Sequence, residues 1–172
     1  MKCEEQLSAC IRQLKYLIPD PEQGVGGEMF EYLSSVTPMI NVDLLVEDGD
    51  RGILLAWRDD LCGRGWHIPG GVVRYKETFE ERIRKVSEKE FKIPLDYEAQ
   101  PIQMEQVIMD SDIRGHFISF LYRCRINGEE PVIKKNPPYA AGDLKWHKTF
   151  PADMVRGQRD FYRKYFDGGS YD

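Results

Sequence analysis

The hydrophobic positions of this chain follow two periods, and the switch between them outlines its elements. In residues 4–18, Leu7, Cys10, Ile11, Leu14 and Ile18 fall on one helical face, and Pro19-Asp20-Pro21 stops the run. After the glycines of 24–27, residues 28–35 predict a second short helix. The period then becomes two: Ile40, Val42, Leu44 and Val46 alternate with Asn41 and Asp43, predicting a half-buried strand over 39–47. A turn at Glu47-Asp48-Gly49-Asp50 leads to a second strand over 52–58, as in a hairpin. Residues 59–65 are mostly polar and read as a loop, and a short apolar strand then ends in Pro69-Gly70-Gly71. Phe79, Ile83 and Val86 restore the helical period in a charged helix over roughly 76–92, ended by Pro94. Strands over 102–109 and 116–126 follow, joined by Asp110-Ser111-Asp112, and Asn127-Gly128 marks a tight turn. Val132-Ile133 reads as a short strand, 144–149 as the last strand and 152–166 as a closing helix, with a fraying tail at 167–170. The order of elements predicts an α/β sandwich built on a mixed sheet. Residues 1–36 read as a helical extension, packed on the main domain or on a second subunit, and residues 37–172 as the main domain.

Composition narrows the functional classes. The chain has 172 residues, 41% of them hydrophobic, enough for one domain with a full core. A formal net charge of −5 argues against wholesale nucleic-acid binding. No apolar run reaches membrane-spanning length, and the acidic start lacks an apolar signal core, so a cytoplasmic setting is expected. Cys3, Cys10, Cys62 and Cys124 form no Cys-x-x-Cys pair and read as reduced thiols.

The candidate chemistry sits on the Pro-Gly-Gly turn and the helix after it. Glu90 is the next position on the stripe of Phe79, Ile83 and Val86. A buried carboxylate there needs compensation, by a cation such as a bound metal or by a nearby lysine. Gly70 and Gly71 suit a backbone that turns sharply or approaches a ligand closely.

This stretch resembles the signature of the Nudix hydrolases: Gly, five residues, Glu, seven residues, then an Arg-Glu-rich segment. Gly71 and Glu77 match with the right spacing. Lys85 stands for the Arg, Glu90 for the final Glu and Ile93 for the last apolar residue. Val86 and Lys89 occupy the places of two of the three clustered acids, and Lys92 that of the Gly. Loss of the first two acids resembles the GDP-mannose mannosyl hydrolase branch. So do Thr37-Pro38, Asn41-Val42-Asp43, Leu54–Arg58, Trp66–Gly71, His116-Phe117 and Leu144-Lys145-Trp146, in that order over 37–149.

The resemblance implies a Nudix-type α/β/α sandwich with the helical extension added. It also implies a Mg²⁺-dependent hydrolase of a nucleotide-sugar, with Mn²⁺ as a substitute ion; the helical extension by itself leaves a homodimer and simple core cover as its two uses. Gly70 and Glu90 become the metal ligands, Arg58 and Glu90 the catalytic pair, and Asp43, Arg58, Lys85, Phe117 and Tyr139 substrate contacts. Gly71 and Glu77 are structural, with Lys85 able to pair Glu77. The commoner fates of these residues stay open: a strand-end Arg58, a polar Asp43 on an open face, a salt-bridged Glu90.

Two features of the branch are missing. Its catalytic His belongs in 136–143, where Ala141 stands, and Val72 replaces an Arg after the Gly-Gly. Tyr139 or Asp143 remains to position a water, whereas His147 is expected inside the last strand. Three functions follow: nucleotide-sugar hydrolysis at carbon, diphosphate hydrolysis at phosphorus, and binding of nucleotide-sugars without turnover.

Overall fold

The computed structural model describes residues 2–60, 63–110 and 115–166. Helices α1 (Lys2–Leu17) and α2 (Gly27–Val36) precede β1 (Met39–Asp48), β2 (Gly52–Asp60), β3 (Gly63–His67) and β4 (Gly70–Val72). Helix α3 (Phe79–Val86) continues into a π-helical turn, Ser87–Phe91. Then come β5 (Leu95–Tyr97), β6 (Gln103–Ile108), β7 (His116–Ile126), β8 (Leu144–His147) and α4 (Arg156–Tyr162), with a 3₁₀ turn at Arg163–Tyr165.

The eight strands form one mixed sheet with the order β3-β2-β1-β7-β5. β4 pairs with β1, β6 with β7 and β8 with β2. β1 and β7 run parallel, and the other pairings are antiparallel. Alternation assigns the two faces. Val42, Leu44, Val46, Leu54 and Ala56 pack under Ile83, Val86 and Phe91 on the α3 side. Leu45, Ile53, Leu55, Trp57, Trp66 and Leu121 pack with Tyr162 on the α4 side. The result is the α/β sandwich on a mixed sheet that the order of elements predicted, in the α/β/α form that the resemblance implied.

Several expected boundaries shift. The 59–65 loop is an edge hairpin, because β2 runs on to Asp60 and pairs with β3 from Gly63. Gly65, at φ 145°, lies so close to the backbone of Asp153 that a Cβ would overlap its carbonyl oxygen. The charged helix begins at Phe79, capped by Thr78, whose Oγ1 accepts the Glu81 N–H at 3.1 Å while Glu81 Oε2 accepts the Thr78 N–H at 2.8 Å. Val132-Ile133 reduces to an isolated bridge between Ile133 and Leu144. The closing helix is confined to α4 and its 3₁₀ turn. Cys62, most of the expected 110–112 turn and the 167–170 tail lie outside the described residues.

Candidate functional site

The two glycines of the Pro-Gly-Gly turn are required by contact, one from each face of the sheet. A Cβ on Gly70 would overlap Asp43 Oδ1 and the carbonyl of Val42, while one on Gly71 would press on Val86 Cγ2 and Arg82 Cδ at 3.1 and 3.2 Å. The close approach is therefore to the protein's own strand and helix. It pins α3 against β4 and fixes where the far end of the helix falls.

Glu77 is the anchor of that helix. Its Oε2 accepts hydrogen bonds from Arg82 Nε at 2.8 Å and Arg82 Nη2 at 2.5 Å, and from the Arg74 N–H at 2.9 Å. Its Oε1 accepts from Lys85 Nζ at 2.8 Å. Burial works to raise its pKa, but the Lys85, Arg74 and Arg82 bonds outweigh it and hold the carboxyl at about 2. Lys85 thus makes the expected pair, while Arg82, absent from the sequence reading, makes the closer two-pronged contact. The signal was available: Arg82 and Lys85 are three apart and share a helix face.

Glu90 lies on the π-helical turn, its side chain 16% exposed, with Lys89 Nζ 2.9 Å from its Oε1. Among the described residues no group of three His, Cys, Asp or Glu side chains could hold a metal ion. The donor set here is one carboxylate plus the expected Gly70 carbonyl. That set suits a magnesium-like ion only if substrate oxygens and waters complete its shell, and Lys89 must release the carboxylate.

The remaining expected site residues divide between the two faces. Arg58, two residues on from the core residue Ala56, lies on the α3 side, with Nε 3.5 Å from Asp60 Oδ2. Asp43, expected as a substrate contact or else as a polar residue on an open face, is 4% exposed. Its Oδ2 accepts from Ser119 Oγ at 2.5 Å and from the Tyr162 hydroxyl, and its Oδ1 accepts from Asn41 Nδ2 at 2.8 Å. Burial pushes this carboxyl up, against those three bonds and the charge of Arg58. With α4 over it, Asp43 ties helix to sheet instead of facing solvent. Phe117 is half-buried in β7, between Met39 and Val107.

The loop that lacks the expected His is also engaged with the core. The Tyr139 ring packs on Trp57 and Trp66, at centroid distances of 5.5 and 4.7 Å, and its hydroxyl accepts from Lys145 Nζ at 3.0 Å. Asp143 Oδ2 accepts the Ala140 N–H at 2.8 Å, holding its own loop. His147 lies in β8 as expected, its ring 4.6 Å from that of Trp66 and its Nε2 buried without a partner. Burial and Lys145 lower its pKa to about 4.

His67 was not singled out from the sequence. It is 4% exposed, and its Nδ1 lies 2.8 Å from the Ala56 carbonyl oxygen. Burial, helped by Arg58 and Lys89 and opposed by the Ala56 bond and Asp60, pulls its pKa down to about 3. A cleft of about 620 Å³ lined by Phe79, Ile83, Tyr97, Gln100, Phe120 and Tyr122 opens at the first half of α3, and none of Arg58, His67 or Glu90 lines it.

The NUDIX domain family model matches residues 37–165. The low-salt glycan biosynthesis protein Agl8 of Haloferax volcanii is 26% identical over 117 residues, covering 65% of this chain and 70% of that protein. Among solved structures, a MutT NUDIX hydrolase from Burkholderia pseudomallei is similar in fold, with a TM-score of 0.58 and 19% identity, over 78% of this chain and 99% of that one. A UDP-X diphosphatase is similar at a TM-score of 0.55 and 17% identity, over 97% of this chain and 80% of that one.

Proposed function

The chain belongs to the Nudix family through its NUDIX domain, and from that premise we propose that it is a divalent-metal-dependent hydrolase of nucleotide-sugars, releasing a nucleoside diphosphate and a sugar. The observation that carries this reading is the sparse acid set. Of the three clustered acid positions only Glu90 is kept, while Val86 is buried in the core and Lys89 pairs with Glu90. Attack at phosphorus by this family's usual route draws on more carboxylate ligands. Attack at the sugar carbon asks only that the diphosphate be neutralised as a leaving group.

Glu90 and the carbonyl of Gly70 would hold a Mg²⁺ or Mn²⁺, which supplies charge neutralisation of the diphosphate when bound. Arg58 exchanges the 3.5 Å contact with Asp60 for a two-pronged hydrogen bond to the departing diphosphate. Glu77, with Arg82 and Lys85, keeps the helix in register so that Glu90 stays in place. The glycan-biosynthesis role in the name of the Haloferax relative agrees with an activated-sugar substrate. Hydrolysis at phosphorus is the second reading. It is favoured by the 136–143 segment, which carries no His and whose Tyr139 is packed on tryptophans.

Turnover of a panel of nucleotide-sugars with Mg²⁺ in ¹⁸O-water tests both. Label recovered in the sugar is the expected result. Label in a phosphate replaces carbon attack with phosphorus attack, and ligand-induced thermal stabilisation without turnover makes the protein a binder.

A further inference from the structure

The site described so far lacks a group to hold the attacking water, and the structure offers one in a place the sequence did not suggest. His67 pairs with Ala56 across the β2–β3 ladder, and directly opposed residues of an antiparallel pair share a face. Ala56 belongs to the core under α3, so His67 faces α3 too, and Arg58 lies on the same side of the same strand. The turn that follows α3 carries the Lys89–Glu90 pair. The charges of Arg58, Asp60 and Lys89 all reach the imidazole.

Its tautomer is fixed by its partner. A carbonyl oxygen can only accept, so the Nδ1 that lies 2.8 Å from the Ala56 oxygen carries the hydrogen. In a neutral ring Nε2 is then the lone-pair nitrogen. Nε2 makes no hydrogen bond to the described residues. His67 is thus a buried imidazole on the α3 side whose Nδ1 is held by the main chain and whose Nε2 lone pair is unengaged among the described residues.

We propose that His67 Nε2 accepts the hydrogen bond of the attacking water, so that His67 takes the place left empty by Ala141 in the loop. This rests on the nucleotide-sugar hydrolase reading above. In the step it serves, the water oxygen bonds to the anomeric carbon. The bond from that carbon to the bridging phosphate oxygen breaks, with its electron pair leaving on the diphosphate. The surplus proton of the water is released to solvent, while His67 positions the water through the Nε2 lone pair and stays neutral, since burial and the adjacent Arg58 and Lys89 disfavour its charged form.

The test compares His67→Phe and His67→Gln with the wild type, measuring nucleotide-sugar affinity by calorimetry and turnover separately. Phe keeps the packing and removes the lone pair, while Gln places an amide near the Nε2 position. His67→Phe is expected to bind within about threefold of the wild type while kcat falls by roughly 10²-fold, the scale of losing the position of a reacting group. His67→Gln is expected to recover at least about tenfold of that loss. The wild-type pH profile should show no ordinary imidazole limb between about pH 6 and 7.

Turnover of His67→Phe equal to the wild type overturns the proposal, as does a parallel loss of binding or a glutamine variant no better than phenylalanine. An imidazole limb that disappears in His67→Phe overturns the fixed neutral acceptor. If the variants fail to fold, the ¹⁵N resonance of Nε2 in the wild type decides: it must report an unprotonated nitrogen and move on adding a nucleotide-sugar with Mg²⁺. No wild-type turnover of any nucleotide-sugar removes the hydrolase reading and this inference together, whereas turnover indifferent to His67 removes this inference alone.

Discussion

Glu77 shows how one carboxylate can organise a site without entering its chemistry. Its side chain is 4% exposed, that of Arg82 11% and that of Lys85 46%. The two cations are therefore unequal partners. Arg82→Met leaves a buried carboxylate without its two-pronged donor and should cost about 3–5 kcal/mol. Lys85→Met removes a largely solvated partner and should cost about 1 kcal/mol or less. Urea unfolding of the two variants checks the order, and equal losses would refute the assignment of Arg82 as main partner. The pH dependence has a definite sign. The Glu77 pKa is lowered to about 2, so its stabilisation is present above its ordinary value and is lost as pH falls from about 4.5 towards 2. Arg82→Met should accordingly shift acid unfolding to higher pH. His67 adds to acid sensitivity from another direction. It stays neutral when folded down to about pH 3, so the unfolded chain binds its proton first, and stability falls at up to about 1.4 kcal/mol per unit below pH 6.5.

At the scale of elements, α4 is fastened to the sheet by a buried polar cluster as well as by apolar packing. Ser119 and Tyr162 both donate to Asp43 Oδ2. Tyr162→Phe removes one donor from a desolvated carboxylate, so a loss of about 1.5–3 kcal/mol is expected in urea unfolding, with α4 loosening first in hydrogen exchange. The Asp43 pKa is raised, so this group's linkage runs opposite to that of Glu77: its stabilisation is fullest below the unfolded value and is lost as pH rises through the folded one. An unchanged unfolding midpoint would mean that apolar packing alone holds α4.

The same elements show what the sequence could and could not reveal. β1 and β7 were legible because long alternating runs fix both period and face. β3 was not, since Gly63-Arg64-Gly65 carries no apolar alternation and becomes a strand only by pairing with β2. The three residues of β5 are too few to show a period. For the site, the pairing of Glu77 with Lys85 followed from the resemblance to the Nudix signature, and the tight turn at the two glycines from the Pro-Gly-Gly run itself. The burial of Asp43 was not legible because a helix distant in sequence covers its face, and His67 was missed because only the β2–β3 register reveals which way it points.

At the scale of the whole molecule, the N-terminal extension is the part least explained by the sandwich. Helix α1 is about 24 Å long by its rise per residue, and residues 3–17 are all exposed, including Leu7 at 57%, Ile11 at 43%, Leu14 at 38% and Leu17 at 65%. These side chains form one stripe, and an isolated helix of this length is marginal in water. None of residues 3–17 is buried, so removing residues 2–17 should leave the melting temperature of the body within about 2 °C, given that 1 kcal/mol shifts a domain of this size by several degrees. The stripe still needs a cover, and we propose that a second copy of the chain supplies it. Sedimentation velocity over about 1–200 µM is the check, because a small helical interface gives a concentration-dependent dimer. The wild type should pass from monomer to dimer across that range, and a Leu7→Glu, Leu14→Glu double variant should remain monomeric with an unchanged melting temperature. A wild type that stays monomeric throughout removes self-association from the role of α1. A double variant that melts several degrees lower would place the stripe against its own domain instead.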